Sequence, residues 1–347
     1  MSNNRQWVHN AIALIQSDHQ RSADTHLIKL ELTTFPGIDI YLKDESTHPT
    51  GSLKHRLARS LFLYALCNGE INQNTTIIEA SSGSTAISEA YFARLLGLKF
   101  IAVMAKSTSP EKLSLIKDYG GQCHLVDSTD MIYAQSEKLA KQLKGYYMDQ
   151  FTYAERATDW RGNNNIADSI FNQMALEKYP VPKYVVVSAG TGGTSATIGR
   201  YIRYKQLNTE LVVVDPENSV FYDYYKSADK TLRSATNSKI EGIGRPRVEP
   251  SFIASLIDRM IKVADIESIN TMLWLEKIVG RKVGPSTGTN MVGVLKLATE
   301  MHQKGETGAI VTLLCDRGDR YLDSYYNSQW VKLNIAITNQ DAKCVPT

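Results

Sequence analysis

No apolar run in this chain approaches the length of a membrane span, and Met1-Ser2-Asn3-Asn4-Arg5-Gln6-Trp7 has no apolar core of leader length. Secretion and membrane embedding are set aside on that ground, and the expected place is the cytoplasm. Cysteine is scarce: Cys67, Cys123, Cys315 and Cys344 are far apart and form no CxxC or Cys/His cluster. This argues against a disulfide framework and against a structural metal. The three internal cysteines are expected to be small core residues, with Cys344 in a polar tail. An excess of one charge is also missing. The 39 basic residues nearly balance 36 acidic ones and are scattered rather than striped, so nothing calls for a nucleic-acid partner. There is no internal repeat and no low-complexity segment.

What is present is the composition of an ordinary globular protein, 43% hydrophobic over 347 residues, long enough for roughly two domains. Short β-branched runs alternate with helical patterns from about residue 38. The expected strands are Ile38 to Lys43, Thr75 to Glu79, Phe100 to Met104, Gln122 to Val126, Tyr184 to Ser188, Leu211 to Asp215 and Ala309 to Leu314. Apolar residues at helical spacing lie between them, as in Leu57/Leu61/Ala65, Ala86 to Leu96, Leu113/Ile116 and Ile166/Ile170/Met174. Such alternation predicts an α/β fold with open, mostly parallel sheets covered by helices. Ligands of such folds bind beyond the carboxyl ends of the strands. The strand series pauses over residues 150 to 180, where a change of domain is expected. Residues 216 to 250 are too long for a simple connection and are expected to be functional or partly helical.

Four loops carry candidate chemistry. After the first strand, Thr50-Gly51-Ser52-Leu53-Lys54-His55-Arg56 delivers one lysine to the opening of an amphipathic helix. The positive field there lowers a lysine's pKa and favours the free amine that forms an imine. A solvated helix-start lysine is the plain alternative. Ala80-Ser81-Ser82-Gly83-Ser84-Thr85 clusters four hydroxyls at a helix N-terminus, a place for a carboxylate or merely a polar cap. Ala189-Gly190-Thr191-Gly192-Gly193-Thr194 joins a strand to a helix and fits a phosphate. Gly190, Gly192, Ser195 and Asp215 also admit a nicotinamide-dinucleotide reading, hence a dehydrogenase, but no His or Tyr proton relay accompanies them. Glu241-Gly242-Ile243-Gly244-Arg245-Pro246 reads as a flexible loop, and Val283-Gly284-Pro285-Ser286 as a turn opening a helix with a hydroxyl exposed.

Together these segments resemble the cysteine synthase/cystathionine β-synthase family of pyridoxal-phosphate enzymes, fold type II, with a tryptophan synthase β-like architecture. The resemblance runs from Leu42 to about Trp330 with the motifs in the family's order. It implies pyridoxal 5'-phosphate as cofactor and a small amino acid as substrate. Lys54 corresponds to the Schiff-base lysine, and Ser81, Ser82, Gly83 and Thr85 to the substrate-carboxylate loop, with Gln150 assisting it. Gly190, Thr191, Gly192, Gly193 and Thr194 correspond to the phosphate cradle, and Ser286 to the residue facing the pyridine nitrogen. Gly242 is carried over as a substrate-side residue. Ser84 stands where most members have an asparagine that contacts the cofactor ring, and His55 where many have aspartate.

The opening Ser22-Ala23-Asp24-Thr25-His26, the Lys54-His55-Arg56 run, Arg161-Gly162-Asn163-Asn164-Asn165 and Gly244-Arg245-Pro246-Arg247 look like the L-cysteine desulfhydrase branch. That branch implies β-elimination from L-cysteine to hydrogen sulfide, pyruvate and ammonia. Cysteine synthesis from an activated serine plus sulfide would use the same residues. A serine at position 286 cannot hold a proton on the ring nitrogen as a carboxylate can, which favours elimination over transamination. The expected division is a smaller substrate-binding domain over 45–155, a larger cofactor-binding domain from 1–44 and 156–330, and a tail over 331–347. The resemblance also implies a homodimer.

Overall fold

Strands buried on both faces of a parallel sheet favour unbroken β-branched runs, and Val185-Val186-Val187 and Val212-Val213-Val214 supply them. The computed structural model describes residues 3–21, 23–81, 83–162 and 165–335. In chain order its elements begin with α1 (Asn3–Gln20), β1 (Leu27–Leu30), β2 (Ile38–Asp44), α2 (Lys54–Cys67), β3 (Ile77–Ala80) and α3 (Ser84–Leu95). Next come β4 (Phe100–Ala105), α4 (Pro110–Asp118), β5 (Gln122–Val126), α5 (Ile132–Leu143), β6 (Tyr146–Tyr147) and α6 (Gln150–Ala157). The chain continues through α7 (Ile166–Met174), β7 (Tyr184–Ser188), α8 (Gly193–Tyr204), β8 (Glu210–Pro216), α9 (Phe221–Ser227) and β9 (Arg259–Val263). It closes with α10 (Asp265–Val279), α11 (Pro285–Gln303), β10 (Gly308–Leu314) and α12 (Ser328–Asn334).

The chain divides into two units. The first comprises Met1–Asp24 and Leu53–Thr158. Its sheet has the order β5-β4-β3-β6, with every pair parallel. Leu61, Phe62 and Ala65 of α2 pack with Ala86, Ala90 and Phe92 of α3, and α1 adds Ala11 and Ile15 to that core. The second unit comprises Thr25–Ser52 and Asp159–Thr347. Its sheet has the order β1-β2-β10-β7-β8-β9, antiparallel at β1 and parallel elsewhere. Met291, Val292, Val294 and Leu297 of α11 join Ile40, Val186, Val214 and Ile310 of the sheet in its core.

The fold class matches the expectation, but the division of the chain differs from 1–44, 45–155 and 156–330. Residues 3–20 go with the lysine-bearing unit because Ala11 and Ile15 complete its core. Residues 45–52 stay with the other unit because Ser52 bridges to Asp316, Arg317 N–H donates to Gly51 O at 3.1 Å, and Arg317 Nε donates to Ser46 O at 3.1 Å. Two cysteine placements also differ. Cys315 is buried as expected, whereas Cys67 ends α2 at the surface and Cys123 is half-buried. The 216–250 region contains one short helix, α9, as expected, followed by turns.

Candidate active site

In the first unit, Gly51 turns the chain with a φ of 69° and Lys54 opens α2. The N-cap residue Leu53 makes no side-chain cap hydrogen bond, and the positive end of the helix lies beside the lysine. The next two residues anchor it. His55 is buried against the rings of Tyr91 and Phe92, with centroids 5.1 and 4.8 Å away. Arg56 Nη2 pairs with Asp24 Oδ1 at 2.8 Å, joining two segments that the sequence set apart by spacing alone.

β3 ends at Ala80 and the chain turns through Ser81 and Gly83 into α3, whose second residue is Thr85. Ser82 lies outside the described residues. Ser81 Oγ accepts the Gly83 N–H at 3.3 Å, and Ser81, Gly83 and Ser84 are half-buried. Gln150 reaches this loop because β6 pairs with β3 and Met148 N–H donates to Ile78 O at 2.9 Å. Thr85 Oγ1 then donates to Gln150 Oε1 at 2.8 Å. Lys54, Ser81, Gly83, Ser84, Thr85 and Gln150 therefore all belong to one unit.

The second unit holds the other candidates. β7 runs through Ala189–Gly192 into α8, with Gly192 at φ 90° as its N-cap. A Cβ at Gly190 would lie 2.3 Å from Gly242 O, and one at Gly192 would lie 2.6 Å from Ser251 O, so neither position admits a side chain. Gly244 N–H donates to Ala189 O at 2.8 Å, and Ser251 Oγ to Thr191 O, which packs the later loops on the first. Ser286 is buried in the first turn of α11. That turn is fixed to the end of β10, because Thr287 Oγ1 accepts the Cys315 N–H at 3.0 Å.

The donor set over residues 190–195 is hydroxyls and backbone N–H with no carboxylate, at the start of a 12-residue helix, which suits a phosphate dianion. A family model described as pyridoxal-phosphate dependent enzyme matches residues 20–316. The chain belongs to that family.

Pyridoxal phosphate is accordingly its cofactor. Over 331 residues the chain is 59% identical to an L-cysteine desulfhydrase from Mycobacterium tuberculosis, covering 94% of this chain and 90% of that protein. Among solved structures it is similar to an O-acetylserine dependent cystathionine beta-synthase from Helicobacter pylori, with 27% identity and a TM-score of 0.76 over 88% of this chain and 97% of that one. It is also similar to a hydrogen sulfide-producing enzyme from Fusobacterium nucleatum, with 26% identity and a TM-score of 0.73 over 93% of this chain and 100% of that one.

For a pyridoxal-phosphate dependent enzyme, the dinucleotide reading of Asp215 lapses, and its burial agrees. Asp215 is inaccessible, its Oδ2 accepts the Tyr222 N–H at 2.8 Å, and burial pushes its carboxyl up to about 7. Arg245 and Arg247 both pair through Nε with the buried Glu249, at 3.0 and 3.2 Å. Glu249 was not singled out in the sequence, and neither were Glu79 and Glu89, whose buried carboxyls flank the Ser/Gly loop. The available signal was a pair of acids inside otherwise apolar β3 and α3 patterns. No group of three metal-ligating side chains occurs among the described residues, and no helix among them is long and apolar enough to cross a membrane.

Proposed function

We propose that this chain is an L-cysteine desulfhydrase, converting L-cysteine and water to hydrogen sulfide, pyruvate and ammonia. The 59% identity to the mycobacterial L-cysteine desulfhydrase over nearly the whole chain carries the reading. When bound, pyridoxal phosphate supplies the electron sink that weakens bonds at the amino acid's α-carbon. Lys54 is the residue that binds it covalently, and the Lys54 amine, once released, takes the Cα proton. Gly190, Thr191, Gly192, Gly193 and Thr194 hold the phosphate with backbone N–H and hydroxyl donors. Ser286 would offer the pyridine nitrogen a neutral hydroxyl, and Ser84 would be the hydroxyl available to the ring. Ser81, Ser82, Gly83, Thr85 and Gln150 hold the substrate carboxylate, and Gly242 borders the substrate. Overall the Cβ–S and Cα–N bonds break and one water is consumed, so no oxidant is needed.

The test is to incubate purified holoprotein with L-cysteine and, separately, with O-acetylserine plus sulfide. Hydrogen sulfide and pyruvate are expected in equal amounts from L-cysteine. Rapid cysteine formation from the second mixture, with negligible sulfide release from the first, would overturn the order of these two activities. Lys54→Ala is expected to lose activity by about 10²–10⁴-fold. It should also lose the visible absorbance band that borohydride fixes to the protein. The family resemblance further supports a homodimer, for which light scattering should give twice the chain mass. A cytoplasmic location belongs to the same proposal and is checked by fractionation.

A further inference from the structure

Glu79 and Glu89 take no part in the chemistry above, yet both are fully buried beside the loop that the carboxylate reading uses. Glu79 Oε1 accepts the Ala80 N–H at 2.6 Å, and its Oε2 accepts the Gln150 N–H at 3.2 Å. Gln150 in turn takes the Thr85 hydroxyl at 2.8 Å through its side chain. A single acid thus grips the main chain of the residue whose side chain meets the loop. The grip falls where α6 needs it. Asp149, just before Gln150, sits at φ 46°, a left-handed conformation that costs a non-glycine residue about 1 kcal/mol or more.

Glu89, on α3 one turn beyond Thr85, takes no N–H or hydroxyl donor among the described residues, and its carboxyl is hydrogen-bonded to that of Glu79. The neighbouring ionisable group acting on it is Glu79. Burial pushes both carboxyls up, and the charge of Glu79 raises Glu89 further. Two carboxylates cannot both ionise in a dry setting, so the pair retains a proton, which the hydrogen bond between the two carboxyls can hold. Two apolar side chains would pack α3 on β3 without this desolvation penalty. What they could not do is hold the Gln150 N–H.

We propose that Glu79 and Glu89 are positioning residues for substrate-carboxylate recognition, Glu79 by fixing Gln150 against Thr85 and Glu89 by holding the Glu79 carboxyl in place across a hydrogen bond. The inference rests on the carboxylate reading of Thr85 and Gln150. It is tested by titrating holoenzyme with L-alanine, which has the carboxylate but no leaving group, and with ethylamine, which lacks the carboxylate. Changes in cofactor absorbance report binding. Glu79→Leu is expected to weaken L-alanine about tenfold or more while leaving ethylamine within about twofold. Glu89→Leu should do the same, and Glu89→Gln, which keeps a donor, should restore L-alanine to within about threefold. If Glu79→Leu does not accumulate folded, Glu79→Gln should still weaken L-alanine selectively. Equal weakening of both ligands, or unchanged L-alanine affinity in folded Glu79 and Glu89 variants, overturns the proposal. Thr85→Ala separates the two ideas. If it leaves L-alanine affinity intact, the carboxylate reading itself fails; if it weakens L-alanine while the Glu variants do not, only the positioning role fails.

Discussion

Gly190 and Gly242 meet backbone to backbone, and one methyl group decides whether they can. At Gly190 a Cβ would come within 2.3 Å of Gly242 O, a contact that main chain cannot relieve by rotating a side chain. Gly190→Ala is therefore expected to force the loop off α8 and raise the dissociation constant for pyridoxal phosphate about tenfold or more, read by equilibrium dialysis. The reciprocal change is milder. A Cβ at Gly242 meets nothing within 4 Å, so Gly242→Ala carries mainly the penalty of its φ of 84°, about 1 kcal/mol of stability, with cofactor affinity retained. Equal loss of cofactor in the two variants would contradict the steric account. The same scale explains the tether on Lys54. Its neighbour Arg56 is 7% exposed and ion-paired to Asp24, so removing the acid leaves a charge in a largely dry place rather than a solvated side chain.

The elements that carry the candidate loops are those whose patterns were plainest. β7 and β10 are buried along nearly their whole length and were legible as unbroken β-branched and apolar runs, and the loops after β3 and β7 follow from them. β6 was missed because two residues give no periodicity, although its pairing with β3 is what brings Gln150 to the loop. β9 was missed because Arg259, Lys262 and the half-buried Ile261 break the apolar run of an edge strand. Glu79, Glu89 and Glu249 were illegible for another reason: their meaning is a partner, and Gln150 is 71 residues from Glu79. Membership of α1 in the lysine-bearing unit was likewise hidden, since an amphipathic helix does not say which core it fits. It has a direct consequence. Ile15 is inaccessible, so Ile15→Ala should destabilise the first unit by about 2–5 kcal/mol. Hydrogen exchange should then rise over residues 53–158, and an increase confined to α1 itself would show that the helix is merely appended.

Across the whole molecule the buried acids outweigh the exposed ion pairs in setting how stability follows pH. Glu300, Glu306, Asp127 and Glu111 have carboxyls held below their ordinary range, but the first two are half-buried and the others exposed, where solvent and salt screen such effects. Asp215 is raised by burial from 3.8 to about 7, as is Asp265 by burial and the nearby Glu217, and Glu79 and Glu89 shift in the same direction. Between about pH 4 and pH 7 the folded chain therefore binds more protons at Asp215 and Asp265 than the unfolded chain does. Linkage then requires stability to fall as pH rises through that window, by at most about 1.4 kcal/mol per pH unit for each group. The stability at these sites is fully present below the unfolded pKa and is lost as pH passes the folded one. Denaturant titrations are expected to give a higher unfolding free energy near pH 5.5 than near pH 8. Asp215→Asn removes one of the raised carboxyls, so its stability should vary less steeply across that interval while the parent's slope persists. A slope identical to the parent's would place the titration elsewhere and remove Asp215 from the account.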